Sequence, residues 1–184
     1  MQIEKTPLAD CYIIKPQVHH DHRGYFFESF NALKFKELTG ITTDFVQDNQ
    51  SFSSYGVVRA LHAQRAPYAQ AKLVRVLQGE VLDIAVDARL DSPTFGQHFA
   101  IHLSAENQLQ LFIPRGFLHG YITLSKTSVF FYKCDQFYHK QAECGVMYND
   151  SDLGIDWKVP PADRILSEKD LVLPRFNEVY KKTL

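Results

Sequence analysis

A chain of 184 residues, 45% hydrophobic and 22% charged, can bury one full hydrophobic core and leaves little room for a second. A net charge of −1 gives no electrostatic reason to expect nucleic acid or an anionic membrane as partner, although local Arg and Lys can still hold an anionic small molecule. Cys11, Cys134 and Cys144 form an odd set without a C-x-x-C pair, which argues against a disulfide framework or a zinc site. No apolar run approaches the roughly 20 residues that cross a bilayer, and residues 1–16 hold no apolar core of signal-peptide length. A reducing cytoplasm is the expected setting.

In chain order, the first strand-like run is 24–30, preceded by a polar stretch with His19, His20 and His22 that reads as a solvated loop rather than a metal site. Asn31 as N-cap and Gly40 as C-terminal stop bracket a helix over Ala32–Thr39. Strands are then predicted at 45–52, 57–61, 71–76, 81–86, 98–103, Gln110–Ile113 and 129–134, with turn signals such as Leu77-Gln78-Gly79 and Asp91-Ser92-Pro93 between them. A second helix starts at Ser167, where Ser167-x-x-Asp170 reads as a capping box. Many short strands and an aromatic content of 13% predict a mainly β fold, a jelly-roll β-barrel with a few peripheral helices and a ring-lined mouth, as a single domain over 1–184.

Polar residues inside such strands are informative, because an inward polar group is costly without a partner or ligand. Gln47, Asn49 and Ser51 alternate along one strand and share a face, either solvent-facing or cavity-lining. Arg59 and His62 end the β-forming run that begins at Gly56, and Lys72 opens the next strand. Pro114-x-Gly116-x-x-His119 resembles the second signature of cupin barrels, and Gly56-x5-His62 resembles the start of the first. In metal-binding cupins a further His and a Glu follow, but here Gln64 stands in the place of that His and no Glu occurs between His62 and Gly79. Two histidines are one short of the usual three protein ligands of a catalytic metal. Without a metal, proton abstraction beside a ketone needs a base, a stabilised enolate oxygen and a proton donor on the opposite face. Histidine, whose unperturbed pKa is about 6.5, is the residue type that suits the base, and His62 stands in that place. Asp170 suits the carboxylate that orients it, Tyr132 the donor and Lys72 the enolate.

Read in succession, the segments 21–28 (DHRGYFFE), 45–51 (FVQDNQS), 56–62 (GVVRALH), 72–75 (KLVR), 87–96 (DARLDSPTFG), 113–120 (IPRGFLHG), Tyr132-Lys133, Asn149-Asp150 and 166–170 (LSEKD) resemble the dTDP-4-dehydrorhamnose 3,5-epimerase family of the cupin superfamily. The resemblance implies a homodimer that needs no metal or organic cofactor and inverts C3 and C5 of a dTDP-linked 4-keto-6-deoxy sugar. It implies His62 as base oriented by Asp170, Tyr132 as acid and Lys72 beside the sugar ketone. Arg23, Glu28, Gln47, Asp48, Asn49, Arg59, His119, Glu143 and Lys169 are implied as nucleotide or sugar contacts, with Tyr138 stacking on thymine. By the same resemblance the N-terminal strand crosses to the partner, so Arg23 and Glu28 would serve the neighbour's site. Two departures stand out. Ala60 occupies a position that is usually Gly, where its methyl would narrow the pocket beside the base, and Tyr121 replaces a commoner Phe, adding a hydroxyl near His119. A C3-only or C5-only epimerase, a 3,4-ketoisomerase and a non-catalytic sugar-nucleotide-binding cupin remain as alternatives on the same barrel.

Overall fold

The computed structural model describes residues 1–181, so the last three residues of the expected domain lie outside it. Among the described residues the chain runs through β1 (Gln2–Lys5), β2 (Tyr12–Lys15), β3 (His19–Asp21) and β4 (Gly24–Phe26), then α1 (Ala32–Thr39). There follow β5 (Gln47–Ser54), β6 (Val58–Gln64), β7 (Lys72–Gln78), β8 (Glu80–Asp87) and β9 (His98–Ser104). Next come β10 (Gln110–Ile113), β11 (Phe117–Thr123), β12 (Thr127–Cys134) and β13 (Glu143–Gly145), and finally the short helices α2 (Glu168–Leu171) and α3 (Phe176–Val179). The helix α1 has the expected bounds and caps: Asn31 accepts from the Lys34 amide at 3.1 Å, and Gly40 takes the left-handed φ of 76°.

The strands form two antiparallel sheets, β1-β2-β10-β7-β12-β5 and β13-β6-β11-β8-β9, with β3 and β4 as a separate hairpin. From β6 to β12 the chain repeatedly crosses between the sheets, which is the double-sheet jelly roll expected from the strand pattern. Of the three histidines in the solvated stretch 19–22, His19 and His20 lie on an exposed two-stranded hairpin, paired with Phe26 and Tyr25, and His22 sits in its turn. The run 24–30 leaves the ladder after Phe26.

Three apolar clusters explain why several strands show no clean alternation. Val74, Val76, Ala85, Leu111 and Phe130 pack between the sheets. Phe35 of α1 covers Leu73 and Phe112 on the outside of the first sheet, while Trp157, Val159 and Phe176 cover Leu82, Ile84 and Ile122 on the outside of the second. Consequently β11 is buried at every residue, and its mixed sequence, with Gly120 in the middle, hides it from a period-2 reading.

The ladder between β6 and β11 is interrupted at one place that matters for the site. His119 pairs with His62 and Tyr121 with Arg59, so Ala60 and Leu61 together oppose the single residue Gly120. This is a β-bulge. It turns Arg59 and His62, three residues apart and hence on opposite faces of a regular strand, toward the same cavity. Gly120 is required for the close approach, since a Cβ there would fall 2.4 Å from the Ala60 Cβ and 2.8 Å from the Arg59 carbonyl oxygen. Ala60 belongs to the outer cluster around Trp157 and does not line the cavity, so its methyl does not narrow the pocket beside His62.

Candidate active site

The two sheets part to enclose a cavity of about 490 Å³. Its walls come from opposite sheets: His62 on β6 from one, Lys72 on β7 and Tyr132 on β12 from the other. Strand register aligns the second wall. Lys72, Cys134 and Gln47 form one row across β7, β12 and β5, Val74, Tyr132 and Asn49 the next, and Val76, Phe130 and Ser51 the third. Gln47, Asn49 and Ser51 thus share the inward face, and they are half-buried rather than solvated. Asp48 does not join them. The period of two sends it to the outer face, where Lys133 donates to it at 2.9 Å.

The His62 Nε2 lies 2.6 Å from the Asp170 Oδ1. Asp170 is buried, and it arrives on α2, whose first turn is capped by the Ser167 hydroxyl accepting from the Asp170 amide at 3.2 Å. The backbone amide of Asp170 completes the cap while its carboxylate reaches His62. Burial pushes that carboxyl up, but the His62 hydrogen bond and charge, with Ser167 and Lys169, outweigh it and hold Asp170 below the ordinary carboxylate value. A carboxylate on Nε2 keeps the proton there and leaves Nδ1 as the basic nitrogen.

Across the cavity, the Lys72 Nζ is 5.8 Å from the Tyr132 ring centroid. Burial pulls the Lys72 ammonium below its ordinary value and pushes the Tyr132 hydroxyl up to about 12. Tyr132 therefore holds its proton at neutral pH. Deeper in, the His119 Nε2 is 2.9 Å from the Asp83 Oδ2 with both side chains buried, and burial, only partly offset by Asp83, lowers the His119 pKa. The Tyr121 hydroxyl does not reach His119. It bonds Ser51 at 2.9 Å and Ser53 at 3.2 Å, while its ring stacks on Phe130 at 4.2 Å.

Arg59 is aimed by Ser53, which accepts from its Nε at 3.1 Å, and by the Phe52 carbonyl, which accepts from Nη2 at 3.3 Å. Lys169 pairs with Glu143, whose other oxygen accepts the Tyr138 hydroxyl at 3.1 Å. Arg59 and Lys169 thus line the same cavity as Tyr138, a cationic and aromatic set suited to an anionic ligand carrying a planar ring. Arg23 and Glu28 lie elsewhere. Arg23 pairs with Asp21 on the hairpin and Glu28 with Lys34 of α1. Among the described residues no three His, Cys, Asp or Glu side chains cluster so as to hold a metal ion.

Two working residues escape a reading by motif. Asp83 sits in the apolar run 81–86, where a lone carboxylate signals a buried partner, here His119. Gln64, recognisable only as a departure from the cupin pattern, makes three hydrogen bonds to main chain.

Comparison with known proteins agrees over almost the whole chain. The family model described as dTDP-4-dehydrorhamnose 3,5-epimerase matches residues 5–178. The dTDP-4-dehydrorhamnose 3,5-epimerase of Shigella flexneri is 48% identical over 176 residues, 96% of each chain. The crystal structure of the enzyme of that name from Elizabethkingia anophelis superposes with a TM-score of 0.95 at 58% identity, covering 98% of both chains. A dTDP-6-deoxy-D-glucose-3,5-epimerase from Legionella pneumophila, solved in complex with dTDP-4-keto-L-rhamnose, gives a TM-score of 0.92 at 47% identity over 97% of this chain and 94% of that one.

Proposed function

This chain belongs to the dTDP-4-dehydrorhamnose 3,5-epimerase family, and on that premise we propose that it inverts C3 and C5 of dTDP-4-dehydro-6-deoxy-D-glucose, giving dTDP-4-dehydro-L-rhamnose. The observation that carries the reading is the placement of a His62–Asp170 pair on one wall of a single cavity, with Lys72 and Tyr132 on the other. Inversion beside a ketone needs a base and an acid on opposite faces of the sugar, and two facing sheets supply two faces.

The His62 Nδ1 takes the proton from carbon, the C–H electron pair passes into an enolate, and the Lys72 ammonium meets the developing charge on the C4 oxygen. Asp170 stabilises the imidazolium that forms. Tyr132 delivers its hydroxyl proton to the opposite face at one of the two carbons and a solvent water does so at the other, the enolate pair re-forming the C–H bond each time, and both side chains recover their protonation states from solvent. Arg59 and Lys169 hold the diphosphate, Tyr138 stacks on the base, His119 and Glu143 complete the lining, and Gln47 and Asn49 contribute from the inward face of β5 beside it.

The reading extends to assembly and setting. We take residues 1–184 as one catalytic domain acting in the cytoplasm, in keeping with three free cysteines. We take it as a homodimer in which the N-terminal hairpin serves the partner's cavity. Its support is that Arg23 and Glu28 lie away from this chain's cavity while Tyr25 and Phe26 stand 58% and 71% exposed on the hairpin.

Solvent deuterium tests the chemistry. Wild type in D₂O should place deuterium at both C3 and C5, His62→Ala should lower the rate by at least about 10²-fold, and Tyr132→Phe should impair inversion at one carbon more than exchange. Label at a single carbon would reduce the activity to a mono-epimerase, and label at neither would refute it.

A further inference from the structure

We propose that Gln64 is a positioning residue for Tyr138, setting that ring at the cavity by gripping the main chain on both sides of it. Gln64 ends β6 and is only 7% exposed, and all three bonds of its amide go to backbone. Its Nε2 donates to the Tyr68 carbonyl at 2.8 Å and to the Phe137 carbonyl at 3.2 Å, and its Oε1 accepts from the His139 amide at 2.5 Å. Phe137 and His139 are the two chain neighbours of Tyr138. From the facing sheet, the Gln47 Oε1 accepts the Tyr138 amide itself at 2.8 Å. Three consecutive residues are thus held by two glutamines, one from each sheet.

Packing cannot do this work. Tyr138 is 54% exposed and Phe137 63%, so little apolar burial fixes the loop, and the hydrogen bonds must. The Tyr68 ring stacks on His139 with centroids 3.9 Å apart and planes at 9°, so Gln64 also draws the 65–70 loop into the same unit. Only a primary amide offers two donors and an acceptor at one terminus. A histidine here, as in the metal-binding cupin pattern, would lose one of these bonds, which gives the departure at Gln64 a physical meaning.

The inference rests on the reading of Tyr138 as the platform for the nucleobase, and the test separates the two. Calorimetric dissociation constants for dTDP are to be measured for wild type, Gln64→Leu, Tyr138→Ala and the double variant, with thermal unfolding to confirm that each is folded. Gln64→Leu should weaken dTDP roughly tenfold and raise KM for the sugar nucleotide more than it lowers kcat. In the Tyr138→Ala background the same change should alter binding by less than about twofold, because the two residues act through one another. Gln64→Asn, one methylene short of both loops, supplies the same cycle should the Leu variant fail to fold. If Tyr138→Ala leaves dTDP binding intact, the stacking role and this inference fall together. If Tyr138→Ala weakens binding but the Gln64 change does nothing, or adds in full to it, the stacking role stands and the clamp is refuted.

Discussion

Lys72 is the residue whose environment has the plainest kinetic consequence. Burial lowers its pKa from the ordinary 10.5, while burial raises that of Tyr132 to about 12. Below its lowered pKa Lys72 carries the charge that an enolate needs; as pH rises through that value the charge is lost, whereas Tyr132 keeps its proton until about 12. The rate at saturating substrate should therefore fall on the alkaline side at a pH below 10.5, and this limb belongs to the lysine. Lys72→Arg, slower but permanently charged, should move the limb upward, and a pH–rate profile left in place by that change would assign it elsewhere. The same shift has a sign for stability. The unfolded chain binds this proton more readily than the folded one, so the cost of burying the ammonium is fully present at low pH and disappears as pH rises toward 10.5.

At the scale of elements, the bulge on β6 decides where the base points. Chain order places Arg59 and His62 on opposite faces, and the extra residue opposite Gly120 brings them to one. Gly120→Ala places a methyl against the Ala60 Cβ and the Arg59 carbonyl, so β6 must shift or the bulge must open. We expect a loss of about 1–3 kcal/mol in chemical denaturation, together with a fall in activity, because both residues lose their aim. An Ala variant with wild-type stability and rate would show that the bulge is dispensable. The strands 81–86 and 129–134 and the helix Ala32–Thr39 were legible because propensity, caps and turn residues agree there. β11 and the short strands β1, β2, β3 and β13 were not, since β11 is covered on both faces and the others span only three or four residues.

For the molecule as a whole, the position of Arg23 makes the proposed dimer testable. Arg23 lies on a hairpin away from the cavity that holds His62, so each complete site would draw on two chains. Arg23→Ala and His62→Ala should each be weakly active alone. Mixed and allowed to exchange subunits, they should recover roughly a quarter of the wild-type sites, since one site of each mixed dimer pairs an intact Arg23 with an intact His62. No recovery after verified exchange would place Arg23 in its own chain's site or outside any.

The sequence alone determined the fold class, the family resemblance and the residue types for proton transfer, because those reside in local pattern: strand alternation, turn signals, motif spacing and side-chain chemistry. Which of those side chains meet is set by long-range packing. Asp170 reaches His62 across more than a hundred residues of chain, Asp48 is turned away from Gln47 and Asn49, and Ala60 faces the outer core instead of the base. A bulge, a pair of facing sheets and an amide gripping two loops are long-range events, and no local propensity encodes them.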